Sequence, residues 1–175
     1  MAGHNKWSQI KHKKAATDAK RSQLFSKLAR LISLEAKNVD GDLSAPGLRS
    51  VIEKARKANM PNENIDRAVK KATEVSGSLE SVTYGAYGPG GVAIIIEALT
   101  DNRNRTAPEL KHLLSENDGN LTEPGGVIWA FEKTNEGWQP KITVDASEED
   151  LEKLSKLVDA LENNQDVQEI FTNAS

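Results

Sequence analysis

The chain has 175 residues, of which 37% are hydrophobic and 28% charged, a balance typical of a folded protein with one or two small domains. It contains no cysteine, which excludes disulfides, thiolate metal sites and cysteine nucleophiles. No apolar run approaches the roughly 20 residues that span a bilayer, and the N-terminus lacks the apolar centre of a signal peptide. We therefore expect a cytoplasmic protein.

The net charge of -3 is distributed unevenly along the sequence. Residues 1–75 hold 16 Lys and Arg against 8 Asp and Glu, whereas residues 76–175 hold 7 against 18. Such asymmetry is typical of proteins whose basic part contacts nucleic acid or another acidic surface. The acidic part is then expected to avoid the same partner.

The first half of the chain predicts three helices. An apolar stripe with helical spacing starts after Thr17 and ends near Asn38; its members are Leu24, Leu28, Leu31 and Ile32. Pro46 favours the start of a second helix, and Asn62 can cap a third after the break at Pro61. We therefore predict a domain over residues 1–77, composed of a basic leader and three helices.

In the second half the periodicity changes from helical to strand-like. The apolar runs and turn signals predict strands at 82–87, 92–99, 127–131, 141–144 and 167–171, with helices beginning at Thr106 and after Ser147. From Val92 this order is βαββαβ, the ferredoxin-like arrangement, preceded by one extra strand. The predicted fold class is α+β, with a second domain over residues 78–175.

The segment from Lys6 to Lys37 is the strongest candidate for a nucleic-acid contact. It holds nine basic residues against Asp18 and Glu35, and cations that reach phosphates release counterions. Trp7 and His12 lie among them, where a flat ring could stack on an unpaired base. The alternative is a solvated arm that only aids solubility, with Trp7 packed on the helical domain.

A second candidate is the polar segment 101–105, just before the helix predicted at Thr106. Arg103 and Arg105 would present guanidinium groups beside a helix N-terminus, where anions are favoured. The alternative is that the segment forms a tight loop in which both arginines pair with Glu97 or Glu80. The two interpretations are compatible, because a loop must be rigid to present an arginine.

Enzymatic chemistry has little support in the sequence. His4 and His12 lack metal-ligand spacing, and His112 stands alone on a predicted helix. The glycines at 88–91 lack the spacing of a phosphate-binding loop and lie between two predicted strands, which favours a hairpin turn. We expect no catalytic residues, no metal and no cofactor.

Several motifs together resemble the YebC/PmpR family, which includes the mitochondrial translational activator of cytochrome c oxidase. They are Met1-Ala-Gly-His-Asn-Lys-Trp7, Ile10-Lys-His-Lys-Lys-Ala-Ala16 with Asp18-Ala-Lys-Arg21, Asn59-Met-Pro61 with Asn64-Ile65, Tyr87-Gly-Pro-Gly-Gly91, Asp101-Asn-Arg-Asn-Arg-Thr106 and Gly119-Asn-Leu121. The resemblance implies a helical domain followed by α+β domains. It also implies non-enzymatic action, either as a DNA-binding transcriptional regulator or in translation at the ribosome, notably at proline-rich stretches.

The sequence departs from that family at one place. Family members carry an inserted α+β domain after the strand that matches residues 127–131, and the chains rejoin near residues 144–149. Here only residues 132–142 bridge the gap. We therefore predict a short form that lacks the inserted third domain.

These observations predict a non-enzymatic nucleic-acid-binding regulator of gene expression. The expected partner is ribosomal RNA, with the ribosome itself, or DNA, and neither a membrane nor a small-molecule substrate is expected. The predicted binding residues are Lys6, Trp7, Lys11, His12, Lys13, Lys14, Lys20, Arg21, Lys27, Arg103 and Arg105. The alternative is a protein-interaction module whose acidic α+β domain docks a partner.

Overall fold

The computed structural model describes residues 6–12, 17–74 and 79–175, which form two compact units. The helical unit contains α2, α3 and α4; the α+β unit contains α1 and the chain from Ser81 to Ser175. In the described residues no helix is long and apolar enough to cross a membrane.

Three helices make up the helical unit, as the sequence predicts. They are α2 (Asp18–Asn38), α3 (Pro46–Lys57) and α4 (Asn62–Glu74). Thr17 caps α2 by accepting a hydrogen bond from the Lys20 backbone N–H at 3.2 Å. The apolar stripes meet in one core, formed by Leu28, Ile32, Ala36, Leu48, Ile52, Ala55, Met60, Ile65, Ala68 and Ala72.

The turn between α3 and α4 explains the Asn59-Met-Pro61 motif structurally. Asn59 has a φ of 63°, the left-handed conformation that commonly ends helices. The Met60 backbone N–H donates to the Ala55 carbonyl at 3.0 Å, and the Met60 side chain is buried in the core. Pro61 then directly precedes α4. The motif therefore sets a tight connection between two packed helices.

The α+β unit begins with α1 (Lys6–His12). Its remaining elements, in chain order, are β1 (Glu80–Tyr87), β2 (Ala93–Thr100), α5 (Arg103–Glu116), β3 (Asn120–Leu121), β4 (Phe131–Thr134), β5 (Gly137–Pro140), α6 (Glu148–Glu162) and β6 (Val167–Thr172). The main sheet has the order β3-β1-β2-β6, and β4 with β5 forms a separate antiparallel hairpin. Ser147 caps α6 as expected, accepting from the Asp150 backbone N–H at 3.1 Å.

The central strand β2 is buried on both faces, which accounts for its continuous apolar run. Ile94 and Ile96 face a core that includes leucines of α5 and α6. Ala93 and Ile95 belong to a second core with Phe131, and Trp138 packs against it. Helices therefore cover one face of the sheet and the β4–β5 hairpin covers the other.

The α+β fold class is confirmed, and two individual strand predictions are wrong. Residues 127–131 form a 3₁₀ turn at Ile128–Ala130 before β4 starts, and residues 141–144 contribute only a bridge from Val144 to Ala174. The reason is local: the turn at Gly137 pairs Phe131 with Pro140, so the hairpin closes on itself. The extra leading strand, β1, instead lies inside the main sheet.

Helix α1 is placed differently from the predicted division at residue 77, which grouped the basic leader with the helical domain. It packs against α6 and belongs to the α+β unit. Trp7 is buried there at 8% exposure, and Ile10, three residues later, packs on the same core. An i, i+3 apolar pair gives even this short helix one buried face.

Candidate nucleic-acid interface

The predicted binding residues on α1 include an exposed lysine and a buried tryptophan. Lys6 is exposed and lies 3.6 Å from the Glu148 carboxylate, whose side chain is itself 83% exposed, so the pair is weak and easily exchanged for a phosphate. The Trp7 ring is part of the core and is not available to stack on a base in this structure. Stacking at Trp7 therefore has no geometric support.

Four other predicted binding residues cannot be placed. Lys11 and His12 end α1, but their side chains lie outside the described residues. Lys13 and Lys14 lie outside the described residues altogether. Binding of nucleic acid by these four residues stays a prediction.

The start of α2 presents part of the predicted basic surface. Arg21 is 64% exposed, with only a long 3.9 Å approach to the exposed Asp18 carboxylate. Lys20 is half-buried and makes an interaction of its own. Lys27 is just 8% exposed and makes an interaction of its own, although the helical period places it away from the stripe of Leu28 and Ile32 that enters the core. Arg21 is therefore accessible to phosphate, and Lys27 is not.

Arg103 and Arg105 lie inside a helix rather than in the loop before it. Helix α5 begins at Arg103, three residues earlier than Thr106 suggested, because the Asn102 side chain caps it by accepting from the Asn104 backbone N–H at 3.0 Å. Arg103 is exposed in the first turn and makes an interaction of its own. Arg105, two residues later, points back into the fold.

Arg105 is held by three carboxylates. Its guanidinium donates to Asp166 at 2.6 Å and to Asp101 at 2.9 Å, and its Nε lies 3.6 Å from Glu109. The hydrogen bond with Asp166, followed by that with Asp101, raises the pKa of Arg105 above its ordinary value. These partners replace the Glu97 or Glu80 that the sequence suggested, and Arg105 acts as a brace.

Asp166, the main partner of Arg105, also belongs to a buried cluster of polar side chains. Asp166 is fully buried and accepts a second hydrogen bond from the Thr106 hydroxyl at 2.9 Å, and that hydroxyl lies 2.7 Å from the Thr100 hydroxyl. The cluster ties the end of β2 and the start of α5 to the residue before β6. The Asp101–Thr106 motif therefore has a structural role in which, of its two arginines, only Arg103 faces outwards.

The glycine motif at 88–91 forms a hairpin turn between β1 and β2, as predicted. Gly90 has a φ of 75°, and a Cβ added there would lie 3.1 Å from the Asp150 carboxylate. A Cβ on Gly88 would lie 2.9 Å from Ile94 Cδ1. Close packing against the sheet and α6, rather than phosphate binding, explains these glycines.

Sequence reasoning missed a group of exposed cations on α3. Arg49, Arg56 and Lys57 lie outside the apolar stripe that α3 buries, and all three are exposed. The signal was available, because the helical period separates these positions from Leu48, Ile52 and Ala55. None of the three is among the predicted binding residues.

Comparison with known proteins identifies the family. The profile described as the TACO1/YebC protein N-terminal domain matches residues 5–75, and that of the TACO1/YebC second and third domain matches residues 79–136 and 133–174. The chain belongs to the TACO1/YebC family. The two profiles together cover nearly all of the sequence.

Individual relatives support the same assignment. A probable transcriptional regulatory protein of Fervidobacterium nodosum is 41% identical over 235 aligned residues, which cover 99% of this chain and 93% of the relative. One from Halothermothrix orenii is 48% identical over 93% of this chain and 63% of its own length. A crystal structure of a conserved hypothetical protein from Aquifex aeolicus, 34% identical, covers 97% of this chain and 96% of its own with a TM-score of 0.83.

The TACO1/YebC comparisons also locate the missing insertion. The alignment with the Fervidobacterium protein is longer than this chain, so that relative has a stretch with no counterpart here. The profile of the second and third domain matches as two segments that meet at residues 133–136. Those residues lie at the tip of the β4–β5 hairpin. The hairpin falls within residues 132–142, the segment predicted to connect the two sides of the missing insertion.

Proposed function

We propose that this protein is a cytoplasmic, non-enzymatic regulator of gene expression that binds nucleic acid through its basic helical unit and the segment leading into it. The target favoured here is ribosomal RNA on the ribosome, where the protein would relieve stalling at proline-rich stretches. The competing setting is transcriptional regulation, the role given in the names of its relatives, which this protein would then perform by binding DNA.

Segregation of charge between the two units is the observation that carries this proposal. In the described residues the helical unit (17–74) holds 12 Lys and Arg against 8 Asp and Glu, whereas the α+β unit (6–12 and 79–175) holds 9 against 18. A polyanion is attracted to the first unit and repelled by the second, which orients it on the protein before any specific contact forms. Within the helical unit, Arg21 and the α3 cations are exposed groups that would meet its phosphates.

The α3–α4 pair favours RNA over duplex DNA as the target. Two helices joined by a short turn invite comparison with a helix-turn-helix, in which the N-terminal part of the second helix enters the major groove. In α4 that part carries Glu63 and Asp66, both exposed, and phosphates would repel them. Binding to single-stranded or irregular RNA does not require the N-terminal part of α4 to enter a major groove.

Crosslinking in cells tests the proposal. The protein is crosslinked to nucleic acid by ultraviolet light, purified under denaturing conditions, and the attached RNA and DNA are sequenced. Enrichment of ribosomal RNA at a defined site is the expected result. Enrichment of genomic DNA would move the function to transcription, and recovery of neither would refute nucleic-acid binding.

A second candidate function is protein docking by the acidic unit, and one surface favours it. Ile128, Trp129 and Ile142 are 45%, 51% and 50% exposed, and the Trp129 ring is fixed by a 3.1 Å hydrogen bond from its Nε1 to the Tyr87 hydroxyl. Docking there predicts that Trp129→Ala abolishes function. It also predicts that function survives neutralisation of Lys11, Lys13, Lys14, Lys20 and Arg21. Nucleic-acid binding predicts the reverse.

A further inference from the structure

Helix α3 exposes cations that its own packing does not require. Its buried face consists of Leu48, Ile52 and Ala55, which enter the core of the helical unit. Arg49, Arg56 and Lys57 are all exposed, outside this buried face. Their charged groups are therefore presented to solvent by a helix that the core holds in place.

Within the described part of the chain these three cations have no carboxylate partner, unlike several other basic side chains. Arg21, Arg67 and Lys153 each lie within 4.0 Å of a carboxylate three or four residues away in the same helix. No ion pair or hydrogen bond involves the side chain of Arg49, Arg56 or Lys57 among the residues that the structure describes. Their charge is available to an external anion without breaking an internal pair.

The three cations are spread along α3, from near its start to its last turn. Arg49 and Arg56 are seven residues apart, so they lie on nearly the same side, about 10.5 Å apart along the axis. Favourable interaction with the helix dipole accounts for cations in the last turn, such as Arg56 and Lys57, but not for Arg49 near the start.

We infer that Arg49, Arg56 and Lys57 form a phosphate-binding stripe on α3 for the backbone of a nucleic-acid strand. The inference rests on the proposed function and extends it to a surface outside the N-terminal segment. Glu53, which is exposed between Arg49 and Arg56 on the same side of the helix, would oppose the phosphates. The stripe therefore predicts effects of opposite sign at neighbouring positions.

Binding of the full-length protein to poly(U) RNA and to a duplex DNA, measured by fluorescence anisotropy between about 50 and 200 mM salt, tests this stripe. The variant Arg49→Gln/Arg56→Gln/Lys57→Gln should bind about tenfold more weakly than the wild type. On single-stranded RNA, the slope of log binding constant against log salt concentration should become shallower by about 0.7 for each phosphate that the variant no longer neutralises. Glu53→Gln should bind more tightly than the wild type.

The matched control removes the same charge from the acidic unit. Lys111, Lys141 and Lys156 are all exposed there, and Lys111→Gln/Lys141→Gln/Lys156→Gln should bind as the wild type does. An equal loss of affinity in this control would overturn the stripe, because net charge alone would then explain the effect. Thermal unfolding of each variant checks that α3 remains folded. Tighter binding by Glu53→Gln is a second check, because partial unfolding would weaken binding rather than strengthen it.

The two proposals fail differently in this experiment. If the wild type binds neither RNA nor DNA at low salt, nucleic-acid binding itself is refuted. If the wild type binds, and neither the triple α3 variant nor Glu53→Gln changes affinity or slope, the stripe is refuted and the proposed function stands.

Discussion

Among single residues, Arg105 shows how a side chain suited to phosphate can be committed to the fold. Its guanidinium meets Asp101, Glu109 and Asp166, and only the last of these carboxylates is fully buried. A buried carboxylate needs both a counter-charge and hydrogen-bond donors. Arg105 and Thr106 supply them, so one role of the Asp101–Thr106 motif is to stabilise the buried Asp166 carboxylate.

Removing the Asp166 carboxylate should therefore destabilise the α+β unit. We expect Asp166→Ala to lower the free energy of unfolding by about 2 kcal/mol, because the buried Thr106 hydroxyl and the Arg105 guanidinium lose their shared acceptor. Urea unfolding followed by circular dichroism measures the change. Asp101→Ala, at a 60% exposed side chain, is the control and should change stability by less than about 0.5 kcal/mol. Equal effects would contradict the assigned brace.

Asp42 offers a test of the loop before α3 by titration. Its carboxylate accepts hydrogen bonds from the Ser44 hydroxyl at 2.6 Å and from the Ser44 backbone N–H at 2.9 Å, and these lower the pKa of Asp42. Because the folded-state pKa is depressed, the stabilisation is present above about pH 4 and is lost as pH falls through the folded pKa. A carbon-detected NMR titration should give a depressed midpoint, and Ser44→Ala should raise it part of the way back. A midpoint that Ser44→Ala leaves unchanged would contradict this cause.

Sequence alone identifies residue types suited to phosphate but not which of them are exposed. Lys27 and Trp7 suited the predicted interface and are buried. Trp7 packs in a core formed mainly by residues more than 70 positions away, so no local pattern could show its burial. Arg21, also a predicted binding residue, is 64% exposed.

Among the elements, the turn from β1 to β2 is set by close packing. Gly88 has an ordinary φ of -114°, but a Cβ there would lie 2.9 Å from Ile94 Cδ1 and 3.3 Å from both Leu154 and Leu157. We expect Gly88→Ala to cost about 2 kcal/mol through overpacking. In an Ile94→Val background, which lacks the Cδ1 atom, the same substitution should cost less. Equal costs in both backgrounds, measured by a double-mutant cycle in urea, would contradict the crowding at Ile94.

The β4–β5 hairpin covers the sheet through two aromatic side chains, Phe131 and Trp138. Trp138 packs against the core of Ala93, Ile95 and Phe131, and its Nε1 donates to Glu97 of β2 at 3.0 Å. The hairpin tip, by contrast, is solvent-exposed and coincides with the interruption of the family match. The base of the hairpin is therefore structural, and its tip is free to vary.

Two changes to this hairpin should have unequal effects. Trp138→Ala should lower the free energy of unfolding by about 2 kcal/mol, because it uncovers one face of the sheet. A flexible Gly-Ser insertion between Asn135 and Glu136 should cost only about 0.6 kcal/mol for each doubling of loop length. Thermal and urea unfolding of both variants checks the difference, and a larger loss of stability for the insertion would show that the tip is structural.

Helices were predicted better than strands for a physical reason. The buried stripes of α2, α3 and α4 repeat within each helix, so the sequence contains the pattern locally. Strand pairing depends on distant residues, and a short apolar run at 127–131 has the same composition whether it joins the sheet or forms a turn. The burial of Val127 and Ala130, with Ile128 and Trp129 exposed, follows the three-residue period of a 3₁₀ turn, which the composition did not reveal.

In the molecule as a whole, charge and architecture coincide. The basic part of the sequence folds into the helical unit, and the acidic part into the α+β unit. Helix α1 is the exception, because it belongs to the basic part of the sequence and joins the acidic unit through Trp7. Each unit has a hydrophobic core formed by residues of this chain, and the surface proposed to bind nucleic acid lies on the helical unit.

Salt-dependent binding of the full-length protein to purified ribosomes is the decisive test of nucleic-acid binding by the basic helical unit. We predict saturable binding at low salt that weakens steeply between about 50 and 200 mM, because several phosphate contacts release counterions. Duplex DNA, measured in parallel, should bind more weakly at every salt concentration. Salt-independent binding, or no binding to ribosomes or DNA at low salt, would contradict a role for the basic helical unit in contacting nucleic acid.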